Sequence, residues 1–356
     1  MKKNILAAFI ALLAASAPAQ QIEQVTIGDN FNYGLTYSLP KTVLQFTVKA
    51  RCTKTIAGRY AMYAEKFMGL QDVALTDQTL YEISNIRMES QEQADATRTY
   101  RISFSEKGAL PTFYLTEQHT LWAINQKPEL PEPEMPALLD PGKTLQYRPT
   151  DVMTSEMLKA GSKSKQAELI AQEIFSIRES RSELIRGEAD NVPNDGKQLQ
   201  LMLDNLAAQE EALMSFFVGT TTTTETSRTF TYVPDEAVDR QLLFRFSSEL
   251  GFVDDDDLAG SPYYISVSVL EDNRMEEMDP KAKKKLEKGI AFCVPGKVQI
   301  KVFTPATQLC QGDVSVAQFG HVEQLPQAQF TDKKKPCSAL FVPSTGAIRL
   351  FDQSAL

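Results

Sequence analysis

The chain has 356 residues, is 42% hydrophobic and carries a formal charge of −9. That apolar share supports packed cores and excludes global disorder, and the acidic balance argues against nucleic acid as a general partner. Beyond the first twenty residues, no apolar run approaches the length that crosses a bilayer as a helix.

Met1 to Gln20 reads as a secretory signal peptide. Lys2 and Lys3 form its basic end, Ile5 to Ala15 its apolar run, and Ala17-Pro18-Ala19 a small-residue cleavage site. Cleavage is expected after Ala19, which makes residues 1–19 the signal peptide. The mature chain is expected in the periplasm or attached to the cell envelope. Cys52, Cys293, Cys310 and Cys337 remain after export, an even number that permits two disulfides with three connectivities. They form no CxxC pair or Cys/His cluster, so a zinc or redox site is not expected.

An N-terminal β-rich module is expected over residues 20–127. Asn30 to Arg51 reads as strands punctuated by Pro40, and Arg59 to Gly69 reads as a short helix with Tyr60, Tyr63 and Phe67 at helical spacing. Leu75 to Met88 and Thr97 to Ser105 read as two further strands. Thr112 to Leu115 and Thr120 to Asn125 read as a hairpin with His119 at its turn. Residues 128–162 form a linker rich in proline over Lys127 to Gly142, with a short helix near Met153 to Lys159.

Residues 163–220 are predicted to form an antiparallel helical hairpin. Ala167, Ile170, Ile174, Ile177 and Leu184 share one face of its first helix. Leu199, Met202, Leu203, Leu206, Leu213, Phe216 and Phe217 share one face of its second. Gly187 can end the first helix, and Asn194 or Asp195 can cap the second. Arg181 and Glu210 interrupt the apolar seams, which argues against a long dry interface. A hairpin buried against the flanking strands accounts for the pattern; a protruding coiled coil that binds a partner is the sharper reading.

Residues 221–356 are expected to form a C-terminal β-rich module. Thr220 to Thr224 and Thr226 to Val233 read as a strand leaving the second helix directly. Leu242, Phe244 and Phe246 alternate, Asp254 to Asp257 make an acidic tip, and Tyr263 to Leu270 is a strand. Asp279 to Lys288 reads as a short basic helix. Ile290 to Val294, Lys297 to Phe303, Val314 to Gln318, Leu340 to Val342 and Ile348 to Phe351 are the last strands.

Two segments on either side of the helices look alike. Gly34 to Val43 matches Gly289 to Val298, with glycine, aromatic, proline and valine in register. In the same order, Phe113 to Ile124 matches Leu340 to Phe351, which sets His119 opposite Gly346. Two ordered matches suggest related β modules flanking a helical insertion. The fold class expected is therefore α+β.

The same residues carry a family resemblance. Tyr37 to Thr42, Gly58 to Gly69, Ile174 to Gly187 with Ile177-Arg178-Glu179-Ser180-Arg181, and Val316 to Gly320 through Leu325-Pro326 resemble domain-of-unknown-function family 4831 over nearly the whole mature chain. The resemblance implies an exported protein of Bacteroidota-type bacteria. It brings no activity, cofactor or site residue with it.

Catalytic signals are sparse. His119 and His321 are the two histidines, and no Gly-x-Ser-x-Gly elbow, HExxH helix or phosphate loop occurs. Asp254 to Asp257 lacks the alternating spacing of a calcium loop. Lys283 to Lys285 and Lys333 to Lys335 could touch lipid headgroups or anionic glycan, and the outward ring of Tyr263-Tyr264 could line a glycan platform. Trp122 reads as core. No catalytic, cofactor-binding or metal-ligating residue is assigned. The role expected is non-catalytic binding or scaffolding of another envelope protein. A hydrolase of envelope polymers built on a carboxylate pair, and a peripheral lipid or glycan binder, are the alternatives.

Overall fold

The structure, a computed structural model, describes residues 23–25, 34–103, 110–129, 145–190, 193, 195–275, 289–332 and 334–352. The signal peptide, most of the proline-rich run and the basic helix expected at Asp279 to Lys288 lie outside these residues.

The fold is α+β, with three antiparallel sheets and a helical hairpin. The first half supplies β1 (Glu23–Val25), β2 (Gly34–Ile56), β3 (Gln78–Ser103), β4 (Phe113–Leu115) and β5 (Leu121–Ile124), with α1 (Ala64–Met68) between β2 and β3. Next come α2 (Ser155–Lys159), α3 (Lys163–Arg186) and α4 (Gly196–Val218). The second half supplies β6 (Thr220–Tyr232), β7 (Val238–Ser247), β8 (Gly251–Val253), β9 (Ser261–Glu271), β10 (Gly289–Phe303), β11 (Gln308–Pro326), β12 (Ser338–Phe341) and β13 (Ile348–Asp352). Leu75 to Met88 and Thr97 to Ser105, expected as separate strands, are one strand. The polar stretch between them stays extended because it pairs with β2.

Strands from both sides of the helices share sheets, so the stretches 20–127 and 221–356 are interleaved. One sheet runs β1-β4-β5-β12-β13, a second β11-β10-β9-β7-β8, and a third β3-β2-β6. Three apolar cores result. In the first, Leu35, Tyr37 and Phe113 meet Ile290, Phe292 and Phe341, and the Tyr37 hydroxyl donates to Ala291 O at 2.9 Å. In the second, Leu44, Phe46 and Val48 face Phe244, Ile265 and Val298 across two packed sheets. The third lies among the helices and the turn that carries Tyr60.

The repeat read in the sequence has a structural counterpart. The hairpins β2–β3 and β10–β11 carry the same irregularity. Between Ser38↔Thr99 and Pro40↔Ala94, one residue on one strand faces four on the other; Val294↔His321 and Gly296↔Val316 do the same. The bend lets each strand serve the first core before it and the second core after it. The short hairpins also match. Ser38 N donates to His119 O at 3.1 Å, and Cys293 N donates to Gly346 O at 3.0 Å. Both acceptors have left-handed backbones, φ 55° at His119 and 72° at Gly346.

The match is not exact past the bend. Val298 is fully buried, whereas Val43, its partner in the sequence alignment, is half-buried beside buried Thr42 and Leu44. The second unit takes one extra residue before its bend, and a one-residue slip moves every later side chain to the opposite face.

Candidate functional site

The helical lobe sits where β2, β3 and β6 end. Gly219, with φ 76° and ψ −161°, turns the chain from α4 into β6, and a Cβ there would meet Ile56 O at 2.0 Å. Tyr60 is the lobe's anchor. Its amide donates to Phe216 O at 2.7 Å, and its hydroxyl donates to Gln166, whose amide donates to Met157 O at 2.8 Å. Burial pushes the Tyr60 phenol above its ordinary range. Around it pack Ala167, Ile170, Ile174, Leu213 and Phe217.

The helix boundaries follow the expected signals. Gly187 closes α3 with φ 73°, and the Asp195 side chain accepts from Lys197 N at the start of α4. Arg181 and Glu210 do not interrupt the seam; they close it. Arg178 and Arg181 both reach Glu210, at 2.6 and 2.7 Å, and only 12% of that side chain is exposed. The far end of the hairpin is thinly packed. No residue of α4 from Gly196 to Ala207 is fully buried, and Leu199, Leu203 and Leu206, expected on a buried face, are half-buried. Leu201 there is 62% exposed and Ile185, late in α3, 66%. Burial needs an opposing element, and among the described residues α3 and the 145–153 segment, whose Tyr147 bonds Asn205, cover only part of α4.

His321 and Glu92 take part in hydrogen-bond networks that join separate elements. His321 lies within β11, which continues through the bend. Its Nδ1–H donates to Asn273 O at 2.7 Å, and its Nε2 stands 3.2 Å from Glu323. Asn273 in turn bonds Phe319 O and Pro295 O, so this group ties the exit of β9 to the bend. His119 forms the β4–β5 turn. Beside that turn, Thr116 passes its hydroxyl hydrogen to Thr120 at 2.8 Å, and Thr120 donates to Glu92 at 2.6 Å. Burial pushes the Glu92 carboxyl above the usual range, although these hydroxyls oppose it.

The remaining candidates are placed as follows. The four cysteines are free; Cys293 and Cys337 are buried, and burial raises the Cys293 thiol to about 11. No disulfide of those the even count permits links these thiols, which lie on β2, β10, β11 and the approach to β12. Arg245 holds the Asp254–Asp257 turn by donating to Asp255 O at 2.8 Å and Gly260 O at 2.9 Å. No group of three metal-binding side chains occurs among the described residues. Tyr263 stacks inward on Phe244, and Trp122 is buried. Tyr264 points outward, but the Arg240 guanidinium lies 4.0 Å over its ring, where a sugar would have to stack. Lys283 to Lys285 and Lys333 lie outside the described residues. A shallow groove of about 470 Å³ between α2 and α3 carries one carboxylate, Glu156, with Lys159 and Lys165. It therefore lacks the carboxylate pair that glycoside hydrolysis needs. No described helix is long and apolar enough to cross a membrane.

The comparison with known families decides the chain's kinship: the model for a domain of unknown function, DUF4831, matches residues 33–349. The chain belongs to the DUF4831 family. That match spans both β units and the helical lobe. No curated protein and no solved structure matches the chain.

Proposed function

We propose that this DUF4831 protein is an exported, non-catalytic component of the cell envelope that works by holding another envelope protein. The basic, apolar and small-residue order of Met1 to Gln20 supports export. The observation that carries the binding role is the outer half of the helical hairpin. It is built on a braced, well-packed base, yet presents Ile185 and Leu201 largely uncovered. A rigid base with an apolar end suits helix-in-groove recognition by a partner.

A photo-reactive side chain placed at Leu201 in intact cells tests this, with Leu309 on β11 as control. A defined adduct from Leu201 only, lost with Ile185→Glu, is expected. No adduct from Leu201, or fractionation of the whole pool with the cytoplasm, overturns the proposal.

A further inference from the structure

We propose that two copies of this chain pair through the free edge of β6, forming a continuous sheet across a two-fold axis centred on Thr226. This does not rest on the partner role of the helical hairpin.

β6 is an edge strand: among the described residues it is bonded to β2 alone. Its pairing with β2 runs without a break from Leu44↔Tyr232 to Ile56↔Thr220. Exposed edges are normally guarded by proline, lysine or a bulge. The sequence TTTTTETSRTFTY contains no proline or lysine, and its register shows no bulge. The other long edges, β3 and β11, are bent by irregularities. Thr221 to Thr224 and Thr226 to Thr229 are exposed, so nothing described covers them.

A second copy fits this edge end to end. Every second N–H and C=O of β6 faces away from β2, so antiparallel self-pairing must oppose residues of the same parity. The register that uses all 13 residues sets Thr226 against itself, Glu225 against Ser227, Thr224 against Arg228 and Thr223 against Thr229. No like charges stand directly opposed, and threonine pairs are favourable cross-strand neighbours.

The flanking charges also complement each other. Glu225 is paired with Arg51 on its own β2, and Ser227 is paired with Lys49. Across the axis, Glu225 of one copy thus faces the small Ser227 of the other, with Lys49 behind it. Each glutamate lies between an arginine of its own copy and a lysine of the second.

Thr224 is exposed and stands opposite Arg228 of the second copy in this register. Thr224→Lys is expected to weaken the dimer, and Thr224→Glu to tighten it, each by roughly tenfold in dissociation constant, since the pair occurs twice. Light scattering and sedimentation of the mature full chain over a concentration series read this, with circular dichroism confirming unchanged fold. A mass of two chains that shifts in these opposite directions supports the pairing. A single-chain mass at every concentration overturns it. So does a dimer that ignores both substitutions or is weakened equally by both.

Discussion

Glu210 and Arg181 meet across the helical hairpin, Oε2 to Nη1 at 2.7 Å, with Arg178 on the other carboxylate oxygen. One largely buried carboxylate therefore holds two guanidinium groups of α3 against α4. Glu210→Ala leaves both cations without their anion and is expected to cost about 1–2 kcal/mol, more than an exposed ion pair. A double-mutant cycle with Arg181→Ala, read by urea unfolding, should return a coupling well above zero; additive losses would show that the contact contributes nothing.

Glu92 should give the fold a pH dependence. Its carboxyl is raised in the folded state, so the folded state binds the proton more tightly than the unfolded chain. That contribution is complete below the unfolded value, about 4.3, and is lost as pH rises through the raised one. Glu92→Gln mimics the neutral form and is expected to flatten the melting-temperature profile across that window. An unchanged profile would show that Glu92 is not its source.

Thr42 sits where the two units meet, fully buried. Its hydroxyl donates to Ser344 O at 2.7 Å and accepts from Ala317 N at 3.0 Å. Thr42→Val keeps the shape but strands both backbone groups, an expected loss of about 2–4 kcal/mol. Denaturant unfolding measures it, and a loss below about 0.5 kcal/mol would contradict this reading.

Gly219 and Gly187 separate backbone strain from collision. Both have positive φ, but a Cβ at Gly187 meets nothing within 4 Å, whereas at Gly219 it meets Ile56 O at 2.0 Å. Gly187→Ala is expected to cost about 1 kcal/mol. Gly219→Ala should cost several times more, since its backbone lies where essentially only glycine is found. Parallel thermal melts test the order, and equal losses would refute it.

The hairpin ends were legible because Gly187 and Asp195 act within their own turns. The repeat was legible because Pro40 and Pro295, His119 and Gly346 keep their spacing. The outer half of α4 was misjudged: its periodicity promises a buried face, but no neighbour arrives to bury it. Arg181 and Glu210 looked like flaws in a seam because sequence spacing cannot show that they meet.

The sequence by itself determined the local conformations: helix period, caps, turns and strand propensity all act over a few residues. Only the tertiary structure decided which strands share a sheet, where β2 and β10 bend, and that β6 keeps an open edge among the described residues. Those outcomes depend on pairings between residues hundreds of positions apart, whose backbone hydrogen bonds carry no signature in side-chain type.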